Sequence, residues 1–185
     1  MAKLITPVAR LSFPSLFRPQ EGEMGGGKYG CTLLFAAGAD LAALKAAAKE
    51  AVAAKWGNKP PKNLRSPFRD GNEKELDGYK DTIYLRVTCK TKPGVVDASV
   101  QPIIDESEIY PGCYVRASLS CYAYEKSGNV GVSFGLNNIQ KVKDGERFDG
   151  KSKAEDEFGA VEDDGKSGAA AGKGGSDFSG DSDPF

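Results

Sequence analysis

Cys31, Cys89, Cys113 and Cys121 are the four thiols of the chain, and none stands in a Cys-x-x-Cys pair. Zinc sites draw on closely spaced ligands. These four fall singly at apolar positions of strand-like segments, where a reduced thiol behaves as a small hydrophobe. Histidine is absent. Its absence removes Ser-His-Asp and Cys-His nucleophile systems, imidazole acid–base catalysis and His-ligated metals. Gly25-Gly26-Gly27-Lys28 has the glycines of a phosphate loop but not its spacing. It also lacks the Ser/Thr after Lys, and it leads into a strand rather than a helix. Asp105, Glu106 and Glu108 cluster before Tyr110-Pro111-Gly112 and read as turn chemistry. A metal there would need carboxylates from elsewhere. These residues point to a chain that is not an enzyme and needs no cofactor and no metal.

Stacking and charge remain. A strand over 113–126 alternates for a dozen residues. Side chains of a strand point to opposite faces in turn. One face is small and apolar: Cys113, Val115, Ala117, Leu119, Cys121 and Ala123. The other carries Tyr114, Arg116, Ser118, Ser120, Tyr122 and Tyr124, with Lys126 at its end. A strand over 81–90 turns Ile83, Leu85, Val87 and Cys89 inward, and Tyr84, Arg86, Thr88 and Lys90 outward. A strand over 130–136 buries Val130, Val132, Phe134 and Leu136, while Gly131, Ser133 and Gly135 leave its outer face nearly bare. Tyr, Arg and Lys beside a bare strand suit a single-stranded nucleic acid, whose bases stack on rings while cations track its phosphates. Outward tyrosines also favour any pleated surface. For one tyrosine that plainer reading wins, and for four interleaved with Arg86, Arg116, Lys90 and Lys126 the two readings stand about level.

These faces need a frame. Residues 3–13 read as a strand ending at Phe13-Pro14, and 28–35 as a second. Asp40 can cap a helix over 41–56, which Gly57, Asn58 and Pro60-Pro61 stop. Residues 59–80 are loop-like. Their Lys59, Lys62, Arg65 and Arg69 could widen a basic footprint, although an ordinary solvated loop is the preferred reading. Trp56 is expected to pack against the sheet, and Lys45 and Lys49 form a solvated helix ridge. A shorter strand over 95–104 breaks at Pro102. Ser127-Gly128-Asn129 turns a hairpin, and the ordered body ends near 143–145. About five strands and one helix suggest a mainly β fold: a five-stranded, OB-fold-like barrel over 1–150, with a β-sandwich as runner-up.

Residues 151–185 read as a disordered acidic tail. The net charge of −1 hides a division: residues 154–185 hold nine acids and two bases, net −7, against +6 for residues 1–153. The body attracts a polyanion, and the tail repels or imitates one. Phe185, the last residue, joins a ring to a free carboxylate, which a partner can bury and pair with a cation. Upstream aspartates would steer the tail to a basic rim. No stretch approaches the length of a membrane helix, the first residues lack a signal-like apolar run, and a cytoplasmic location with no membrane partner is expected.

The ending Asp183-Pro184-Phe185, after Asp177-Phe178 and Asp181, resembles the acidic tip of bacterial single-stranded DNA-binding proteins and the T7-type phage tail. The body resembles a phage family of OB-fold single-stranded DNA-binding proteins. Ser12-Phe13-Pro14-Ser15-Leu16-Phe17, Lys28-Tyr29, Thr32-Leu33-Leu34-Phe35, the 110–118 stretch and the 135–146 stretch carry that resemblance over most of residues 1–148. It departs in one respect: the helix lies between the second and third strands, earlier than is usual in OB folds. The resemblance implies single-stranded DNA as ligand, roles in replication, recombination and repair, a host-cytoplasmic site of action and the option of a homodimer. The tail would regulate DNA binding and recruit replication or recombination proteins. The competing readings are a protein-interaction adaptor or virion-associated β-barrel without nucleic-acid binding, and an RNA-binding OB protein, which the 2′-hydroxyl would distinguish.

Overall fold

A computed structural model describes residues 3–23, 26–150 and 157–159. The chain divides into two units, Met1–Lys151 and Ser152–Phe185, and among the described residues all the strands lie in the first. They are β1 (Lys3–Ile5), β2 (Ala9–Ser15), β3 (Tyr29–Ala36), β4 (Phe68–Asp70), β5 (Thr82–Cys89), β6 (Gly94–Val96), β7 (Tyr114–Lys126) and β8 (Asn129–Lys143), with α1 (Ala42–Trp56) between β3 and β4.

Five strands close a ring. β2 pairs with β3, β3 with β5, β5 with β8, β8 with β7, and β7 returns to β2. All these pairings are antiparallel except β5–β8, which is parallel. Inside lie Leu11, Leu33, Phe35, Leu85, Val115 and Phe134, each from a residue whose strand neighbours face outward. Leu41, just before the helix, and Leu44 within it join this cluster. The helix itself follows from its alanines, which lose little entropy on helix formation. The Asp40 carboxylate accepts the Ala42 N–H at 3.0 Å, and Gly57, at φ +59°, ends the helix. The fold class is the one expected, mainly β with one early helix.

Several boundaries differ. The first expected strand is two, because the chain steps sideways at Thr6-Pro7. β1 lies beside Ser118–Ser120 of β7, and β2 lies beside Tyr114 and Val115. Thr6 is buried at the step, exchanging hydrogen bonds with the Ala117 backbone. β2 also runs past Phe13 to Ser15 through a β-bulge. The expected strand over 95–104 shrinks to β6, with Ile103 N–H donating back to Val95 O. β8 is longer than expected, and ordered chain continues beyond 145: Tyr110 Oη donates to Asp144 at 2.6 Å, and Arg147 pairs with Asp149. All four cysteines are free thiols. Cys31 and Cys113 are buried, whereas Cys89 and Cys121 are only partly so.

Candidate nucleic-acid interface

A groove of about 870 Å³ crosses the outer face of β3 and β5. Its floor is Thr32 of β3 with Tyr84, Arg86 and Thr88 of β5. One wall is the connector from Arg65 to Tyr79. The other is the β7–β8 hairpin, with Tyr124, Val132 and Ser133. Phe13, Gln20 and Lys28 complete the rim.

Each wall residue has a local cause. Arg65 forms a bridge to β8, its N–H donating to Val130 O at 3.0 Å and its O accepting from Val132 N–H at 3.2 Å. Gly131 makes this approach feasible: a Cβ there would stand 2.8 Å from both Arg65 O and Tyr124 Oη. The bare strand face foreseen at Gly131 is therefore covered by the chain itself. Arg69 is set opposite Tyr84 by the β4–β5 register. Arg86 faces out beside Thr32 and donates to Gln20 Oε1 at 3.2 Å. Beneath them Tyr79 donates to Ser12 Oγ at 3.0 Å and meets the Tyr84 ring edge-on at 5.6 Å. Burial raises the pKa of the Tyr79 phenol above its ordinary value. Phe148 packs against this pair together with Leu34.

The electrostatics are one-sided. Lys28, Arg65, Arg69, Lys74 and Arg86 line the groove, and no Asp or Glu does. None of these five cations belongs to an ion pair among the described residues. Charges of one sign lining a cleft focus its field on a counter-charged ligand. Hydroxyls of Thr32, Ser66, Thr88 and Ser133 add donors and acceptors between the rings. The groove can stack planar groups and neutralise phosphates. Among the described residues no group of His, Cys, Asp or Glu could hold a metal ion.

Of the eight residues expected at a DNA face, the groove gathers Tyr84, Arg86 and Tyr124. Tyr84 is on the outward face as read, but it is only 9% exposed because the connector and Phe148 cover it. Tyr122 is exposed on the face of Tyr124, two residues back, beside Gly135. Lys90 and Lys126 are exposed at strand ends outside the groove lining. Tyr114 and Arg116 belong elsewhere. The Tyr114 ring lies under Arg10 at 5.3 Å and Lys143 at 4.6 Å. Arg116 donates to Gln140 Oε1 at 2.6 Å, and Gln140 in turn donates to Asp97 O.

Arg65 and Arg69, preferred as solvated loop, line the groove, while Lys59 and Lys62 do not. Phe13, Lys28 and Lys74 carried no strand-face signal and were missed. Trp56 does reach the sheet, donating to Glu125 of β7 at 3.4 Å. The tail residues Asp177, Phe178, Asp181, Asp183, Pro184 and Phe185 lie outside the described residues.

A family model described as Enterobacter phage Enc34, ssDNA-binding protein, matches residues 2–167. A curated relative, "Putative protein p50" of Acyrthosiphon pisum secondary endosymbiont phage 1, is 35% identical over 154 residues. That match covers 76% of this chain and 83% of the relative. Among solved structures, the single-stranded DNA-binding protein of bacteriophage Enc34 in complex with ssDNA superposes with a TM-score of 0.67 at 23% identity. It covers 79% of this chain and 89% of that one. Gp2.5, the single-stranded DNA-binding protein of bacteriophage T7, superposes with a TM-score of 0.54 at 17% identity, covering 83% and 98%. At such identities the structural likeness is one of fold, and the fold shared is of the OB type.

Proposed function

The chain belongs to the family of the Enterobacter phage Enc34 ssDNA-binding protein, and from that premise we propose that it binds and protects single-stranded DNA in the groove over β3 and β5. The observation that carries this reading is the set of five cations, engaged by no ion pair among the described residues and lining the groove without a carboxylate, beside the Tyr124 ring. Phosphates take the cations and bases take the ring faces, so binding is stoichiometric and involves no catalysis. Single strands held this way are shielded from nucleases and from refolding during phage replication, recombination and repair in the host cytoplasm.

The tail completes the proposal. Residues 154–185 carry a net charge of −7 and compete with DNA for the groove. DNA displaces the tail and frees Phe185 for replication or recombination proteins. A homodimer is compatible with this scheme and is read by sedimentation.

The test is a titration of fluorescent oligo-dT, oligo-rU and duplex DNA with full-length and tail-less protein. Tight single-strand binding, tighter still without residues 154–185, is the expected result. Unchanged affinity on tail removal at low salt would end the competition scheme. No binding by either form would leave the adaptor reading.

A further inference from the structure

The groove has a neighbour. A second cleft of about 660 Å³ lies under Pro14–Glu21, and Gln20 and Arg86 line both. Between them sits the bulge of β2, where Phe13 holds φ +45°. That left-handed conformation is rare for a bulky side chain and strains the backbone. Hydrophobic burial does not repay it, because Phe13 is 59% exposed and lines the groove rim. The bulge turns an aromatic face outward that a regular strand would not present there. Beyond it Arg18 is open to solvent, in a 3.4 Å contact with Glu106, which lines the cleft together with Glu21.

We propose that Phe13 is a base-stacking residue: a single strand leaving the groove stacks a base on this ring and passes over Arg86 toward Arg18. The inference rests on the proposed DNA-binding reading and deepens it. A planar base fits an exposed ring, since stacking supplies contact area; Arg86, which lines both groove and cleft, would meet the adjoining phosphate, and Arg18 would exchange its Glu106 contact for the next. Gln20 and Arg86 line both cleft and groove, so a strand that follows them from one into the other would engage more nucleotides than the groove alone accommodates.

The strain gives the test its readout. Glycine adopts positive φ without penalty, so Phe13→Gly removes the ring and relieves the backbone together. Full-length protein is titrated with fluorescent oligo-dT, and thermal unfolding is followed in parallel. Phe13→Gly is expected to lose about 5- to 150-fold in affinity, the range of one base–aromatic stack, with its melting temperature equal to or above wild type. Phe13→Leu, which keeps apolar bulk without a π face, is expected to lose affinity likewise, and Phe13→Tyr to retain it. Wild-type affinity in Phe13→Leu, or in a folded Phe13→Gly, would overturn the stacking role while leaving groove binding intact. A wild-type protein that binds no oligo-dT would overturn the DNA-binding reading itself, and this inference with it.

Discussion

Tyr124 and Tyr114 stand on one face of one strand and have different surroundings. Tyr124 leans over Gly131 at the groove wall, whereas Tyr114 is clasped by Arg10 and Lys143. Tyr124→Ala is therefore expected to weaken oligo-dT binding by about 1–3 kcal/mol with little loss of stability. Tyr114→Ala is expected to lower the melting temperature and leave affinity near wild type, since its cation–π contacts serve the fold. Fluorescence titration and thermal unfolding of the two variants, side by side, check both. The thiols make a separate prediction. Burial pushes Cys31 and Cys113 up and pushes Cys121 up to about 11. A thiol whose folded pKa is raised stabilises the protein fully below its unfolded pKa, near 8.5. That stability is lost as pH rises toward the folded value. The melting temperature is expected to be flat from pH 7 to about 8.5 on this account and to fall between about 9 and 11. A melting temperature that rose over that interval would contradict it.

At the scale of elements, period-two alternation carried far. The inward rows of the strands at 81–90 and 113–126 were legible because each reads as one apolar and one polar file. The helix was legible from its alanines, Asp40 and Gly57. What failed to show was tertiary in cause. The step at Thr6-Pro7 exists because β7 offers two neighbouring pairing sites, a fact about residues more than a hundred positions away. Arg65 and Arg69 looked like any basic loop, and only the bridge to Gly131 and the β4–β5 pairing place them at the groove. Phe13 was legible as part of a motif, but a bulge is not written in alternation. The connector makes its own prediction. Gly131→Ala sets a Cβ against Arg65 O and Tyr124 Oη, so it is expected to cost about 1–3 kcal/mol by overpacking and to weaken DNA binding by displacing Arg65. Urea unfolding measures the first effect and titration the second. An unchanged urea midpoint would show that the bridge yields freely.

For the whole molecule the governing quantity is where charge sits, rather than its near-zero sum. The body holds a net +6 and carries in one groove five cations that no ion pair engages among the described residues, whereas residues 154–185 hold a net −7. Binding through phosphate neutralisation releases counterions, so affinity must fall with salt at a log–log slope of about −0.7 per phosphate on a single strand. Full engagement of the five groove cations corresponds to a slope of about −3.5. An adaptor surface built on aromatics would respond weakly to salt. The measurement that bears most directly on the groove is the salt dependence of oligo-dT affinity for wild type and for Arg69→Ala/Arg86→Ala. Both arginines are exposed, and neither is in an ion pair among the described residues. A slope shallower by about 1.4 in the double variant, at an unchanged melting temperature, is the expected result. An identical slope and affinity in a folded double variant would place the DNA somewhere other than the groove.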